Sequence, residues 1–476
     1  MGYIRGAILM MQGAWAPLGW LALVERELLL FAASFFVLGA IDEIAVDLVW
    51  LWLRLTGRAR TAQVDRASHE GRPLAGRAAL LIPTWREESI IAATLAHALA
   101  AWPQKDLRIY VGCYCNDPQT VQAVMEGAGC DSRVRLVIND RCGPTTKADC
   151  LNRLYAAMEA DEERWGDRYR LVVLQDAEDV VDPAALPLLD AAIDLADFVQ
   201  IPVLPEPQST SRFVGSHYCE EFAESHGKSL VVRQALGAAL PAAGVGCAFA
   251  RDMLGCIAGA SPSGMPFSVE SLTEDYELGL RIEAAGGRSC FLRARGEDGR
   301  LVATRACFPA RLELSVRQKA RWIHGISLQS WDRLGWSGGA VETWMRLRDR
   351  RGPLTALVLF CAYLVLLLAG GLWLAGKFGL GRPWEPDGLL LVLLWANLAS
   401  FAWRSVMRFA FTAREYGVGV GLMALARLPH SNVIAILAGR RALFAYVGTL
   451  LGAEVRWDKT YHHAHPSSLL VPDKTA

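Results

Sequence analysis

The chain has 476 residues, enough for two or three domains, of which 53% are hydrophobic and 21% charged, and its mean hydropathy is +0.22. Lys and Arg together number 49, as do Asp and Glu, so the basic excess of a nucleic-acid binder is missing; composition also excludes disorder, collagen and small disulfide scaffolds. Such a chain is too apolar for an ordinary soluble enzyme and too charged to lie wholly in lipid, which leaves a globular domain tied to a membrane.

The first 24 residues are apolar but broken by Pro17 and several glycines, without the cleavage pattern of a signal peptide. Leu28 to Leu53 is strongly apolar and carries Asp42, Glu43 and Asp47. Its first half reads as a membrane span and its second as a helix at the interface or packed on another helix. Arg54, Arg58, Arg60, Arg66, Arg72 and Arg77 follow.

From Ala78 short β-rich runs alternate with helical stretches. Ala78 to Ile82, Leu107 to Tyr114, Val134 to Ile138 and Leu171 to Leu174 read as strands. Ser89 to Trp102 carries apolar residues at helical spacing, and Ala-rich segments fill the other gaps. This alternation predicts a parallel sheet with helices on both faces, whose ligands lie at the carboxyl ends of the strands.

The polar residues just past those runs are therefore the candidates. They are Thr84-Trp-Arg-Glu87-Glu88, Asn116-Asp117, Lys147 to Asn152, and Asp176-Ala-Glu178-Asp179. Asp117 fits a helix cap or turn as well as chemistry. Asp176 and Glu178, on one tight turn, are suited to converge on Mg²⁺ or Mn²⁺ shared with a diphosphate. Thr273-Glu274-Asp275 stands in a polar break before the helical stretch Tyr276 to Ala284. Gln318, Arg321 and Trp322 follow a basic, apolar run just before the membrane. A carboxylate base, an Arg to hold phosphate and a Trp to stack on a sugar make a working set. Gly244-Val-Gly246 reads as a backbone turn near the ligand, lacking the full dinucleotide fingerprint. His217, Glu220, Glu221, Glu224 and His226 read as a solvated helix face in preference to a second metal cluster.

Leu354 to Gly376, 23 residues without a charge, is the clearest span, long enough for a hydrocarbon core of about 30 Å. Gly388 to Trp403 is a second, shorter one. Asn432 to Val455 is apolar but has Arg440 and Arg441 at its centre, and reads as an amphipathic surface helix in preference to a span. Arg346, Arg348, Arg350 and Arg351 before these spans, and Arg404, Arg408 and Arg414 after them, outweigh Lys377 and Arg382 between them. The positive-inside rule then puts the middle of the chain in the cytosol. The expected units are 1–56 with one transmembrane and one interfacial helix, 76–350 as the cytosolic domain, 353–408 as two transmembrane helices, and 409–476 as interfacial helices and tail. The 11 cysteines are odd in number and scattered, as in a reducing compartment. Cys113-x-Cys115 reads as two small buried thiols on a strand. The tail histidines His462, His463 and His465 read as part of a flexible end.

Taken together, the motifs resemble glycosyltransferase family 2, the inverting nucleotide-sugar transferases with an α/β GT-A (Rossmann-like) fold, in its membrane-bound synthase branch. Asp176-Ala-Glu178 resembles the family's D-x-D, with Glu for the second Asp. Thr273-Glu274-Asp275 resembles its T-E-D, and Gln318-x-x-Arg321-Trp322 its Q-x-x-R-W. Within that branch, Ile82 to Glu88, Asp176 to Asp179 and Trp457-Asp-Lys-Thr460 resemble the bacteriophage adsorption protein B family of Gram-negative inner membranes. Its members often add a C-terminal domain for a nucleotide second messenger; the short stretch up to Ala476 leads to the expectation that such regulation is not built into this sequence.

The resemblance implies donor-binding by Glu87, Asp117, Lys147 and Asp176, with Asp176 and Glu178 as metal ligands. It implies Asp275 as general base with Glu274 beside it, Arg321 on the leaving diphosphate, and Gln318 and Trp322 on the acceptor. The partners it implies are a UDP-sugar, a glycan or lipid-linked acceptor, membrane lipids and an outer-membrane export partner. A polyprenyl-phosphate acceptor and an inactive envelope scaffold remain as other readings.

Overall fold

The computed structural model describes residues 17–453 apart from 60, 337 and 381–383. Residues 1–16, Arg60, Arg382, the Trp457-to-Thr460 segment and the three tail histidines lie outside the described residues.

Eleven strands follow in chain order among the described residues. They are β1 (Ala62–Gln63), β2 (Ala78–Pro83), β3 (Leu107–Tyr114), β4 (Val134–Asn139), β5 (Leu171–Leu174), β6 (Phe198–Gln200), β7 (Val203–Pro205), β8 (Cys247–Ala250), β9 (Ser289–Phe291), β10 (Ala294–Arg295) and β11 (Thr304–Ala306). Seven form the central sheet, in the order β4-β3-β2-β5-β8-β6-β9. β4, β3, β2 and β5 run parallel, as do β6 and β9. The expected all-parallel sheet is corrected at β8, which pairs antiparallel with both β5 and β6. Its four residues, Cys-Ala-Phe-Ala, carry no information on direction; the chain's path back from the segment after β7 decides it.

Alternation along the strands separates two cores. Leu80, Ile82, Ile109 and Val111 face the helices Ile91–Ala101 and Ala185–Ala192. Ala79, Leu81, Tyr110 and Val172 face the helices Lys147–Trp165, Arg251–Gly259 and Glu274–Ala284. Both faces of the sheet are covered, which is why β2 is buried along its whole length. Each such aliphatic side chain contributes about 1.5–3 kcal/mol on burial.

Four of the described helices are long and apolar enough to cross a membrane, Pro17–Leu55, Gly352–Lys377, Gly388–Tyr416 and Leu428–Leu450. That is one more than expected, because the segment with Arg440 and Arg441 forms an unbroken helix of 23 residues. Pro17–Leu55 is likewise a single helix of 39 residues. Its acidic half is held by ion pairs: Arg348 and Arg351 bind Asp42 and Glu43, and Arg404 binds Glu43 at 2.9 Å. Asp47 pairs with Lys228, whose side chain is fully buried and also lies 2.7 Å from Glu224.

The solvated face expected around Glu220 is corrected by the same contacts. His217, Glu220, Glu224 and His226 are buried, because the helix His217–Glu224 packs against Gly388–Tyr416. Arg427 at 2.9 Å and Arg408 at 3.4 Å answer Glu220, and Lys319 at 2.5 Å answers Glu221. Acidic residues with basic partners distant in sequence look solvated until those partners are placed.

Candidate active site

The parallel strands end together, and two adjoining cavities open beside the ends of β2 and β5. The smaller, about 130 Å³, has Glu87, Asp176, Glu178 and Gln318 in its wall. The larger, about 380 Å³, has Thr273, Glu274 and Tyr276. Lys147, Asp275, Arg321 and Trp322 border both. Residues from five separate stretches of chain thus meet, and of the residues to which the resemblance gives a role, all except Asp117 line one cavity or the other.

Each is delivered by a simple local device. Lys147 opens the helix Lys147–Trp165, whose N-cap Thr146 accepts a hydrogen bond from the Asp149 amide at 3.2 Å. Asp176 and Glu178 sit on the turn after β5, and Asp179 holds that turn by accepting from the Asp176 amide at 2.6 Å. Glu274 and Asp275, expected in a polar break, form the first turn of the helix Glu274–Ala284. Carboxylates are favoured there by the helix dipole. The Asp275 carboxylate accepts from the Tyr276 amide at 2.7 Å, and the Tyr276 hydroxyl donates to Asp349 at 2.7 Å. Gln318, Arg321 and Trp322 lie within one turn of the helix Leu312–Trp322. Gln318 Oε1 is buried and has no hydrogen-bond partner among the described residues.

Asp117 is used as a cap: it receives the Thr120 amide at 3.4 Å at the start of Pro118–Ala128, and the Arg86 amide at 2.6 Å. The second bond shapes the backbone immediately before Glu87. The Gly244-Val-Gly246 turn does border the site. Gly244 has φ +76°, and a Cβ there would come within 2.1 Å of an Asp275 carboxylate oxygen.

Charge is concentrated here. Lys147 Nζ lies 2.6 Å from Asp176. Burial pulls the Lys147 ammonium down, but Asp176, Glu274 and Asp275 outweigh it and hold the group above its ordinary value. Burial pushes Glu274 from the usual 4.5 up to about 8, with the neighbouring Asp275 adding and Lys147 opposing. Asp275 is also raised by burial and lowered by Lys147. Asp179 is raised well above the carboxylate range by burial and by Asp176 and Glu178.

Some residues at the site carried no motif. Gln200 accepts from the Ala243 amide at 2.9 Å and donates to the Val245 carbonyl at 2.9 Å, while Gln175 accepts from the Gly246 amide at 3.2 Å. These two buried glutamines hold the glycine turn against Asp275; their signal was a Gln at a strand end, too common to single out. Phe222 and His226 line the larger cavity. His226 Nδ1 accepts from the Val203 amide at 2.9 Å, and burial, helped by Arg293, depresses its pKa to about 3, so the ring is neutral with its proton on Nε2.

Among the described residues no group of three or more His, Cys, Asp or Glu side chains gathers as a closed metal cage. Asp176 and Glu178 offer a pair of hard oxygens, which suits Mg²⁺ or Mn²⁺ completed by the oxygens of a bound diphosphate.

Residues 75–325 match the family described as glycosyltransferase like family 2. The chain is 33% identical over 469 residues to bacteriophage adsorption protein B of Escherichia coli K12, covering 93% of this chain and 62% of that protein. It matches bacteriophage N4 adsorption protein B of E. coli O157:H7 to the same extent. The chain therefore spans less than two thirds of the length of these relatives. Among solved structures, a mannosyltransferase from Pyrobaculum calidifontis in complex with GDP-Man and Mn²⁺ superposes with a TM-score of 0.49 at 15% identity, over 85% of this chain and 99% of that one. A Mycobacterium tuberculosis glucosyl-3-phosphoglycerate synthase with Mn²⁺, UDP and phosphoglyceric acid gives 0.32 at 15% identity, over 56% and 81%. The family match covers the whole mixed sheet and all the motif residues that border the two cavities, and the chain belongs to glycosyltransferase like family 2, with the GT-A arrangement of that family.

Proposed function

We propose that this protein is an inner-membrane, inverting glycosyltransferase, with its catalytic domain in the cytosol, that moves a sugar from a UDP-sugar to a growing β-linked surface or secreted glycan. The observation that carries the reading is the meeting of Lys147, Asp176, Glu178, Asp275, Arg321 and Trp322 around two joined cavities. The smaller cavity, which alone has Asp176 and Glu178 in its wall beside Lys147 and Arg321, is the place for the diphosphate. The larger, which extends from Phe222 and Trp322 along Thr273, Glu274 and Tyr276, is the place for the acceptor sugar.

Glu87, held by the Asp117-capped turn, faces the nucleoside end of the donor. Mg²⁺ or Mn²⁺ on Asp176 and Glu178 would neutralise charge on the leaving UDP. Asp275 takes the proton of the acceptor hydroxyl as that oxygen bonds to the anomeric carbon, and the bond from that carbon to the UDP oxygen breaks on the opposite face. Configuration inverts because nucleophile and leaving group occupy opposite sides. Arg321 and Lys147 stabilise the departing diphosphate, since fixed positive groups favour charge that develops in the transition state. Gln318 Oε1 is a hydrogen-bond acceptor for an acceptor-sugar hydroxyl.

The test is UDP release by the full chain in lipid with a panel of UDP-sugars, in the presence of Mg²⁺, Mn²⁺ or EDTA, beside Asp275→Asn. Turnover of one donor that stops in the variant while UDP binding persists is the expected result. Turnover that continues in Asp275→Asn overturns the base assignment, and failure to bind any nucleotide overturns the enzyme reading.

A further inference from the structure

The turn after β3 and the loop after β4 lie side by side, next to the Trp85–Glu87 turn that borders the smaller cavity. Cys115 and Cys142, one on each, are both exposed. Their sulfur atoms are 3.6 Å apart. Cys115 thus departs from the buried pair expected with Cys113, which is buried.

The neighbouring residues tie these two segments tightly together. The Asn116 side chain donates from Nδ2 to the Gly143 carbonyl at 2.8 Å and accepts at Oδ1 from the Gly143 backbone amide at 2.8 Å. The Tyr114 hydroxyl bonds to Thr145 at 2.7 Å. Trp85 packs over Gly143, where a Cβ would come within 2.4 Å of its ring. The two thiols are therefore held beside each other by groups other than themselves, and little chain entropy separates them from a bond.

We propose that Cys115 and Cys142 are a redox modification site, forming a reversible disulfide that governs nucleotide binding. Its second half rests on the glycosyltransferase reading above. The chemistry balances through thiol–disulfide exchange with a small-molecule disulfide of the glutathione type. One cysteine thiolate attacks it, releasing one small thiol and leaving a mixed disulfide. The other thiolate displaces the second small thiol, so two protein thiols are oxidised and one small disulfide is reduced. Closing the bond draws the sulfurs from 3.6 Å to about 2.05 Å. That movement pulls the loop five residues ahead of Lys147 toward the turn that carries Asp117. Lys147 and the Glu87 turn, which Asp117 supports, border the smaller cavity, so the oxidised form grips the nucleotide less well.

The full chain in lipid is treated with oxidised glutathione, digested without reduction and mapped by mass spectrometry. UDP affinity is measured by calorimetry before oxidation, after it, and after dithiothreitol. The expected result is a Cys115–Cys142 cross-linked peptide, with exposed Cys130 and Cys256 uncrosslinked as internal controls. UDP affinity falls roughly tenfold on oxidation and returns on reduction, and Cys142→Ser holds its affinity throughout. Glutathione adducts on both cysteines in place of the cross-link overturn the site. A cross-link with unchanged UDP affinity overturns the control of binding. Absence of UDP binding in the reduced protein overturns the glycosyltransferase reading instead, and the peptide map still decides the disulfide.

Discussion

Gly244 stands directly against Asp275. With φ at +76°, its missing side chain leaves the space that the Asp275 carboxylate fills, since a Cβ there would lie 2.1 Å from Oδ2. A backbone position thus sets where the carboxylate proposed as the base points, and the buried Gln200 and Gln175 hold the turn from behind.

Gly244→Ala is expected to displace the base. An L side chain at positive φ costs about 1–2 kcal/mol, and a shift of about 1 Å at a reacting group costs on the order of 100-fold in rate. The expected outcome is a fall in kcat of that size with a small loss of thermal stability. An alanine variant with wild-type kcat would refute the contact.

Lys147→Met tests the electrostatics. Lys147 lowers the pKa of both Glu274 and Asp275, so its removal raises them further. A carboxylate acts as a base only when ionised, so with Asp275 in the proposed role the acidic limb of the kcat/KM profile is expected to move to higher pH. Loss of a charge-assisted contact to phosphate, about 1.5–3 kcal/mol, raises the donor KM roughly 10- to 100-fold. Steady-state kinetics from pH 5 to about 9 read both effects.

Glu274 makes stability depend on pH. With its pKa raised from 4.5 to about 8, the folded protein keeps a proton that the unfolded chain releases. The group's contribution is full below the lower value and is lost as pH rises through the upper one. Glu274→Gln removes that slope, so its melting temperature falls less between these pH values than that of the wild type.

Metal dependence should reside in the Asp176–Glu178 turn. EDTA is expected to stop turnover, and Glu178→Gln to raise the Mn²⁺ or Mg²⁺ needed for half-maximal rate by about tenfold or more, since one of two protein ligands loses its charge. An unchanged metal titration in the variant would remove Glu178 from the ligand set.

Lys228 joins the catalytic domain to the helix Pro17–Leu55. It is fully buried against Asp47 and Glu224, with Glu43 at 3.8 Å. Lys228→Met leaves Asp47 without a cation, while Arg404 still answers Glu43 and Glu224, and is expected to cost about 3–5 kcal/mol. Thermal melting in detergent, with Lys228→Arg as the charge-preserving comparison, measures it.

Local pattern in the sequence determined the elements. β3 and β5 have the limits that their β-rich runs imply, Leu107–Tyr114 and Leu171–Leu174, and Ile91–Ala101 is the helix its apolar spacing predicts. These follow from side-chain period and turn residues, which act over a few positions. The motif candidates were also readable one by one, because most follow a strand or open a helix and Gln318, Arg321 and Trp322 share the last turn of one. Tertiary structure alone decided what depends on distant partners. The direction of β8, the burial of Glu220 against Arg408 and Arg427, the space at Gly244 and the meeting of Cys115 with Cys142 are all of this kind. A residue's hydrophobicity and charge state its preference for water, but whether a carboxylate is solvated or buried is settled by the cation that another segment brings to it.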